Sequence, residues 1–511
     1  MVLLEFEGKL FLDGIGSTEM PCPEKGARED KSRVNKNVAR GNCMAKVCVI
    51  CGEAAGSREH VFPAVLGGRR VNKGIYCTPH NNGFGRHVAE LAKQLEMFNA
   101  ILMVRSDHRD KPKAFVFEDE PGSAFSMIGS NIQTAAPSSI SELGLQPGEK
   151  KGLKFESMEQ FEQWREAQRK DGWEPVIVDS VEVQRHHFAS PVNVSLTFGG
   201  KEGLQAVAYL ALTFFAQYFP VEARQHGLDP LKEFLKLDLS KDEYSPELIP
   251  NLVWWDGRAA EDVVGKNPFS FGHAVVVGVS RATNRAYAYI SFFSSLNFGI
   301  DLGPVEEARE GMAKVFIDPK AEKAPEDIEA QLSDKFSIEI DSTTSDLGHM
   351  IRSGSAEAAV GHFLGKVGAW HFELFIDEIR HEVTSWAASG STDSGDFSES
   401  LVEKHSQRVL NLLISATSGL KTQFASDNLP APLLVVLDAV VVADEGQPNG
   451  LSQQTNTVLA LAKAQVVNAV GVELSEREPS PERIANLLGG GLGVALVTAT
   501  VVQPILLSLL K

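Results

Sequence analysis

The sequence is poor in cysteine, with five in 511 residues. Three of them, Cys48, Cys51 and Cys77, lie in one stretch, and the other two, Cys22 and Cys43, have no spacing that suggests a pair. A disulfide framework of the kind that stabilises small secreted domains is therefore excluded as the basis of the fold. The cysteine content predicts a protein of a reducing compartment, the cytoplasm.

The chain also lacks a surplus of positive charge. Its net charge is −18, which repels nucleic acid at long range. The charge is uneven, because residues 44–113 contain eleven Lys or Arg against six Asp or Glu, a net of +5, which leaves −23 on the remainder. This asymmetry favours a basic module that touches phosphate on an otherwise acidic protein, although chance variation of surface charge gives the same count.

A secretory signal and an internal repeat are absent as well. Residues 1–43 have no basic start followed by a long apolar run, and no helical or strand period persists in them. We interpret them as a flexible leader, either a loose arm or a segment ahead of a functional start at Met44. The length predicts about two to four domains.

Two short pairs of metal-binding side chains stand out in the basic stretch. Cys48-x-x-Cys51 and Cys77-x-x-His80 are separated by 25 residues. Two tight turns that each supply two such ligands form the closed tetrahedral shell of structural zinc. We call these four the zinc-knuckle residues. One alternative is that the cysteines are reduced core residues and the histidine is there by chance. The other is a thioredoxin-like redox pair, but the sequence has no buried strand running into the first pair, as that fold requires.

Between the pairs lies Glu59-His60, in a short segment that can be extended and that Pro63 stops. Neighbouring strand residues point to opposite faces, so both side chains reach one ion only if the segment bends. After the second pair, residues 81–96 predict a helix with an apolar stripe of Val88, Leu91, Ala92 and Leu95. The predicted order is knuckle, strand, loop, strand, knuckle, helix.

The strings CVICG, EHVFPAVLGG and CTPHNNGFG stand in this order over residues 46–110. They resemble the HNH endonucleases, the ββα-metal nucleases. The resemblance implies that His60 is the general base that takes a proton from the attacking water. It implies that Glu59 and Asn81 are oxygen ligands of one catalytic magnesium or manganese ion, and that the knuckle residues hold structural zinc. Histidine titrates near neutrality and hard cations prefer oxygen, so both residue types suit phosphodiester hydrolysis.

Two positions depart from the family pattern. His80 replaces the usual fourth cysteine, which zinc accepts. Ala89 stands where relatives often carry a supporting aspartate. His87 could substitute for that carboxylate, contact phosphate, or simply be an exposed helix residue. Asn82 and Arg86 are further auxiliary candidates.

Residues 114–320 predict a mixed α/β associated domain. The expected elements are a polar helix over 155–170, the end of a strand at 195–198, a buried apolar helix over 203–218, and a hairpin of 273–279 with 286–291 followed by a strand over 292–302. His186-His187 lacks a cysteine or carboxylate at ligand spacing, so a surface or core role is the favoured interpretation.

The last third predicts helices. Residues 303–345 are rich in charge and proline and predict a linker or solvated helices. Residues 321–480 as a whole predict a mostly helical regulatory or interaction region, with helices over 356–388, 401–416 and 456–470, a loop over 389–398, and a strand or core helix over 433–442. Residues 481–511 predict an apolar C-terminal helix that starts at Ser480-Pro481. Its uncharged span, 484–510, is long enough to cross a bilayer, or it is a buried helix or an oligomer interface.

The predicted fold is therefore of the α+β class, with an N-terminal ββα-metal zinc module, a middle mixed α/β region and a mostly helical C-terminal region. The function that the resemblance to HNH endonucleases implies is a metal-dependent endonuclease, with DNA preferred over RNA through the resemblance alone, in an architecture that suits restriction or phage (antiviral) defence. The alternative is a zinc-stabilised nucleic-acid- or protein-binding module that has lost catalysis, as Ala89 would allow. DNA is the expected partner. The sequence leaves open whether the chain forms a homo-oligomer. The expected location is the cytoplasm, with a tether to the inner membrane if residues 484–510 insert into the bilayer.

Overall fold

The computed structural model is an α+β protein with a helical C-terminal region, which confirms the predicted fold class. It describes residues 5–10, 47–106, 111–118, 124–147, 157–176, 192–239, 252–321, 330–338, 355–390, 393–426, 431–442 and 451–509, and positions 149, 151, 153 and 155. Two compact units divide the chain. The first contains residues 18–113 and 195–364, and the second contains residues 114–194 and 365–511.

The strands of the described residues are, in chain order, β1 (Glu5–Leu10), β2 (Glu59–His60), β3 (Val71–Asn72), β4 (Phe115–Glu118), β5 (Ala124–Ile128), β6 (Asn131–Thr134), β7 (Val192–Thr197), β8 (Val253–Trp255), β9 (His273–Ser280), β10 (Arg285–Phe292), β11 (Leu296–Pro304), β12 (Gly311–Ile317) and β13 (Gln331–Ser333).

The α-helices are α1 (Thr78–Gln94), α2 (Glu96–Ile101), α3 (Met158–Lys170), α4 (Gly200–Tyr218), α5 (Asp229–Lys236), α6 (Ala260–Val264), α7 (Ser355–Ala388), α8 (Ser394–Lys404), α9 (Ser406–Ser426), α10 (Ala431–Val440), α11 (Gln453–Leu474), α12 (Pro481–Gly489), α13 (Gly491–Val497) and α14 (Gln503–Leu509). Short 3₁₀ turns lie at Ala64–Leu66, Glu222–Arg224 and His226–Leu228.

The N-terminal part of the first unit has the predicted order of elements. β2 pairs antiparallel with β3, the 3₁₀ turn lies between them, and α1 follows. The helix starts at Thr78, three residues before the prediction, because Cys77 has the extended N-cap conformation and proline occupies the first turn. Its buried positions are Phe84, His87 and Leu91.

A six-stranded antiparallel sheet forms the centre of the first unit, in the order β13-β12-β9-β10-β11-β8. The predicted hairpin is confirmed, since β9 pairs with β10 over 273–280 and 285–292. The prediction of a linker over 303–345 was wrong for Gly311–Ile317, which is a mostly buried strand paired with β9. α4 packs against this sheet and against α1, with residues 203–216 buried, as the apolar run predicted.

The second unit contains a three-stranded meander, β4-β5-β6, the helix α3 with its N-cap at Ser157, and a helical bundle. The bundle core draws on α7 to α14, with Ile379, Leu413, Val466 and Ile484 completely buried. The prediction of a single helix over 401–416 was wrong, because the chain forms two helices, α8 and α9, with a break at His405. The segment 433–442, left open between strand and helix, lies mainly in helix α10.

The C-terminal segment is not one straight helix. Ser480 caps α12 as predicted, with its side chain accepting a hydrogen bond from the Arg483 amide. The chain then breaks at Gly490 and continues through α13, a π-helical turn over Thr498–Val502, and α14. Gln453–Leu474 and Gly491–Ser508 are long and apolar enough to cross a membrane. Both also contribute buried residues to the bundle core, so membrane association stays a prediction.

Several predictions fall on residues outside the described ranges. They are the His186-His187 pair, Cys22, Cys43, Met44 and the leader apart from Glu5–Leu10, which forms β1 where the sequence predicted no regular structure.

Candidate functional site

The four zinc-knuckle residues converge on one point. Their ligand atoms all lie within 4.8 Å of one another. The Sγ atoms of Cys51 and Cys77 are 3.8 Å apart, and Nδ1 of His80 lies 3.7 Å from Cys48 Sγ and 3.1 Å from Cys77 Sγ. A tetrahedral zinc ion with ordinary bond lengths requires about 3.8 Å between sulfurs and about 3.5 Å between sulfur and nitrogen. The cluster can therefore hold a metal ion, and its donors fit structural zinc.

Two ligands of the cluster, Cys48 and His80, have pKa values shifted towards the forms that bind metal, whereas burial raises the pKa of Cys51 to about 11. Burial opposes ionisation of the Cys48 thiol, but hydrogen bonds from the backbone amides of Cys77, Cys51 and Ile50 lower the pKa of Cys48 overall. Burial and then the nearby Lys236 charge lower the pKa of His80, which keeps its imidazole neutral. A thiolate and a neutral imidazole are the forms that bind zinc.

Backbone and side-chain hydrogen bonds hold the two knuckle turns together. The Val49 amide donates to the Ile75 carbonyl at 2.9 Å. Arg224, from the turn after α4, donates through Nη2 to the carbonyls of Val47 at 2.6 Å and Gly74 at 2.8 Å. One guanidinium thus joins the residues just before each metal-binding turn, and five donors in a planar fork suit that geometry.

Glu59 is buried, with 8% of its surface exposed. The Tyr209 hydroxyl, on α4, donates to Oε1 of Glu59 at 2.5 Å. Burial raises the pKa of Glu59, and the bond from Tyr209 opposes that rise. Burial also raises the pKa of Tyr209, so its hydroxyl remains a donor at physiological pH.

Tyr209 belongs to a polar stripe, Gln205, Tyr209, Thr213 and Gln217, on the otherwise apolar α4. These residues are four apart, so they share one helix face. The Tyr76 hydroxyl bonds Thr213 Oγ1 at 2.9 Å, and Asn72 Nδ2 donates to Gln217 Oε1 at 2.5 Å. Three successive turns of α4 therefore make hydrogen bonds outside the helix. Tyr209 bonds Glu59 on β2, Thr213 bonds Tyr76 just before Cys77, and Gln217 bonds Asn72 on β3.

Glu59 and His60 differ in burial. They are consecutive in β2, and His60 is half-buried while Glu59 is buried. Asn81 lies in the first turn of α1, where its amide donates to the Cys77 carbonyl. The Asn81 Oδ1 atom is buried and has no hydrogen-bond partner within the described residues. A side-chain amide oxygen of this kind is a ligand type that hard cations bind, and water molecules hydrogen-bond it as well.

The auxiliary candidates separate into buried and exposed positions. His87 is 2% exposed, so the alternative of an exposed helix residue is excluded. Its Nε2 donates to the Leu235 carbonyl at 3.2 Å, and burial, with the Arg86 charge, lowers its pKa to about 4. Arg86 donates to the carbonyls of Leu235 and Leu237 at the end of α5. Asn82 and Ala89 are exposed on α1.

Sequence reasoning missed Tyr209 and Arg224. Both lie more than a hundred residues from the motif, and nothing local marks Arg224. A signal for Tyr209 was present, because polar residues every fourth position inside an apolar helix indicate buried hydrogen bonds rather than a uniform core face.

No protein-family model matches the chain, and no match was found among the curated proteins or the solved structures.

Proposed function

We propose that the chain is a metal-dependent endonuclease of the HNH type, acting on the phosphodiester bonds of DNA. The observation that carries the proposal is the closure of the four zinc-knuckle residues around a β2–β3 hairpin and α1. Cysteine pairs alone are compatible with many binding modules. The same hairpin and helix also contain the EH dipeptide and Asn81, which a simple binding module does not need.

In this proposal the zinc shapes the fold and takes no part in the reaction. A structural site of three thiolates and one imidazole is coordinatively closed. Removing zinc therefore acts on the position of β2 and α1, and activity is lost because the fold of this part is lost.

Glu59 and Asn81 would hold the catalytic magnesium or manganese ion. Their donors fit, because one carboxylate and one buried, unpartnered amide oxygen are ligands that hard cations prefer. When bound, the cation polarises the phosphate and offsets the charge on the leaving oxygen. His60, the half-buried neighbour of Glu59 in β2, would accept the proton of the attacking water.

Charge supports a nucleic-acid substrate. The net charge of residues 44–113 is +5 on a chain of −18, so the proposed catalytic part is the one that attracts phosphate. The exposure of Ala89 weakens the alternative of a module that has lost catalysis. Position 89 lies on the exposed surface of α1, whereas Glu59 is buried.

The test is cleavage of supercoiled plasmid DNA by the full chain with Mg²⁺ or Mn²⁺. His60→Ala is expected to abolish cutting while zinc content and the melting temperature stay at the wild-type level. His226→Ala is the matched control, because His226 is an exposed histidine of the same compact unit, paired with Asp229, and is expected to leave cutting unchanged. Equal cutting by His60→Ala, or no cutting by wild type with either metal, would overturn the proposal.

A further inference from the structure

The contact between α4 and β2 has a feature that packing alone does not require. Tyr209 is 2% exposed, and its hydroxyl donates a hydrogen bond to one carboxylate oxygen of Glu59. A buried carboxylate without a donor is strongly unfavourable, so the pair is mutually dependent. Phenylalanine would fill the same space if only the ring mattered.

The ring of Tyr209 is held in place from several sides. It stacks on Tyr76 at 5.8 Å between centroids, with 23° between the planes. Phe84 lies at 5.6 Å and His87 at 5.5 Å, both from α1. Because these neighbours flank the ring, they restrict the position of the hydroxyl. The carboxylate oxygen that accepts its hydrogen bond is restricted in turn.

Hydrogen bonds from the neighbouring turns of α4, on the same helix face as Tyr209, also hold α4 against the hairpin. Thr213 donates its own proton to the Tyr209 carbonyl, so Tyr76 must be the donor in the Tyr76–Thr213 bond. Gln217 accepts from Asn72 on β3. α4 is thereby tied to the hairpin and to the second knuckle turn as well as to Glu59.

We propose that Tyr209 is a positioning residue, which fixes Oε1 of Glu59 and leaves Oε2 as the oxygen that would bind the catalytic cation. This inference rests on the proposed function. It adds that the nuclease part does not act alone, because the residue that orients its carboxylate belongs to α4 of the associated domain. Hydrogen-bond partners of metal ligands are worth about 10- to 100-fold in metal affinity or activity.

The experiment measures Mn²⁺ binding to the zinc-loaded full chain by the loss of the free-ion EPR signal, alongside plasmid cleavage at increasing Mn²⁺. Tyr209→Phe removes only the hydroxyl. We expect its Mn²⁺ affinity to fall about 10- to 100-fold. The Mn²⁺ concentration for half-maximal cleavage should rise by the same factor, with the rate at saturating Mn²⁺ largely recovered.

Tyr218→Phe is the matched control. It is the same change on the same helix, and its hydroxyl is contacted by Arg70 at 3.4 Å instead of by Glu59. It should leave Mn²⁺ affinity and its cleavage dependence unchanged. Glu59→Gln should abolish the Mn²⁺ site. In Glu59→Asp, whose shorter carboxylate withdraws from residue 209, adding Tyr209→Phe should weaken Mn²⁺ binding less than it does in wild type.

The outcomes separate this inference from the proposed function. If Glu59→Gln loses the Mn²⁺ site but Tyr209→Phe binds Mn²⁺ as wild type does, the positioning role is overturned and the nuclease proposal stands. If wild type and Glu59→Gln bind Mn²⁺ equally and neither cuts DNA, both fall. If Mn²⁺ binding depends on Tyr209 but wild type does not cut, Tyr209 positions a ligand of a bound cation that is not catalytic, and the nuclease proposal falls.

Discussion

The first prediction concerns the pH dependence of stability through His273. This residue starts β9 and is completely buried. Its Nε2 donates to the Leu66 carbonyl at 3.1 Å, in the turn between β2 and β3, and its Nδ1 accepts from the Phe293 amide at 3.2 Å. Both nitrogens are satisfied only in the neutral imidazole, and burial lowers the pKa of His273 to about 3.

The sign and size of the effect follow from linkage. The unfolded chain binds the proton near pH 6.5, whereas the folded chain resists it down to about pH 3. The stability that His273 contributes is therefore present above pH 6.5 and is lost progressively as the pH falls from there towards 3. At pH 5 the loss is about 2 kcal/mol, since 1.5 pH units correspond to about 1.36 kcal/mol each.

The assay is amide hydrogen exchange of peptides from β9 and β10 at pH 7 and pH 5, corrected for intrinsic exchange rates. His273→Gln keeps a donor for Leu66 but cannot take up a proton, so its loss of stability over this interval should be smaller than wild type's by about 2 kcal/mol. His226→Gln, which changes an exposed histidine, should behave as wild type. Equal pH dependence in His273→Gln and wild type would refute the reasoning.

Two further predictions concern the knuckle and the sheet. Cys77→Ser should cut the zinc content of purified protein from about one ion per chain to well under half, because one of four ligands is lost; unchanged content by elemental analysis would place the metal elsewhere. Gly299→Ala should destabilise the first unit by about 1–3 kcal/mol through overpacking, because its Cβ would lie 2.4 Å from the Trp254 indole. Gly361→Ala is the control, because a Cβ at that position meets nothing within 4 Å. Equal denaturation midpoints for Gly299→Ala and Gly361→Ala would contradict the packing argument.

Local patterns were enough to predict much of the first unit. The β2–β3–α1 order followed from ligand spacing, from Pro63 and from the period of the residues after His80, and the β9–β10 hairpin followed from two β-branched runs around a turn. These features depend on neighbours in the chain, so the sequence contains the information needed to place them.

Features that depend on distant partners were missed. Gly311–Ile317 lies in a charged surrounding and looked like part of a linker, yet it becomes a buried strand because β9 supplies the pairing partner. The break at His405 was also missed, since histidine is not a strong helix breaker and its burial in the bundle arises only from tertiary packing.

The candidate site divides in the same way. The zinc-knuckle residues were predictable because their spacing fixes their geometry. The donor to Glu59 was not, because Tyr209 lies 150 residues further along the chain and reaches the carboxylate only when α4 packs under the hairpin. Burial of His87 likewise depends on α5, whose last carbonyls accept its hydrogen bond.

The central claim is that a zinc-clipped hairpin and helix present His60 as the base of a metal-dependent nuclease. The most direct measurement is the ratio of plasmid-cleavage rates of wild type and His60→Ala at saturating Mg²⁺. A general base contributes about 10²- to 10⁴-fold, so the account predicts a ratio of at least about 100. A ratio near one, with wild-type zinc content in both proteins, would contradict it.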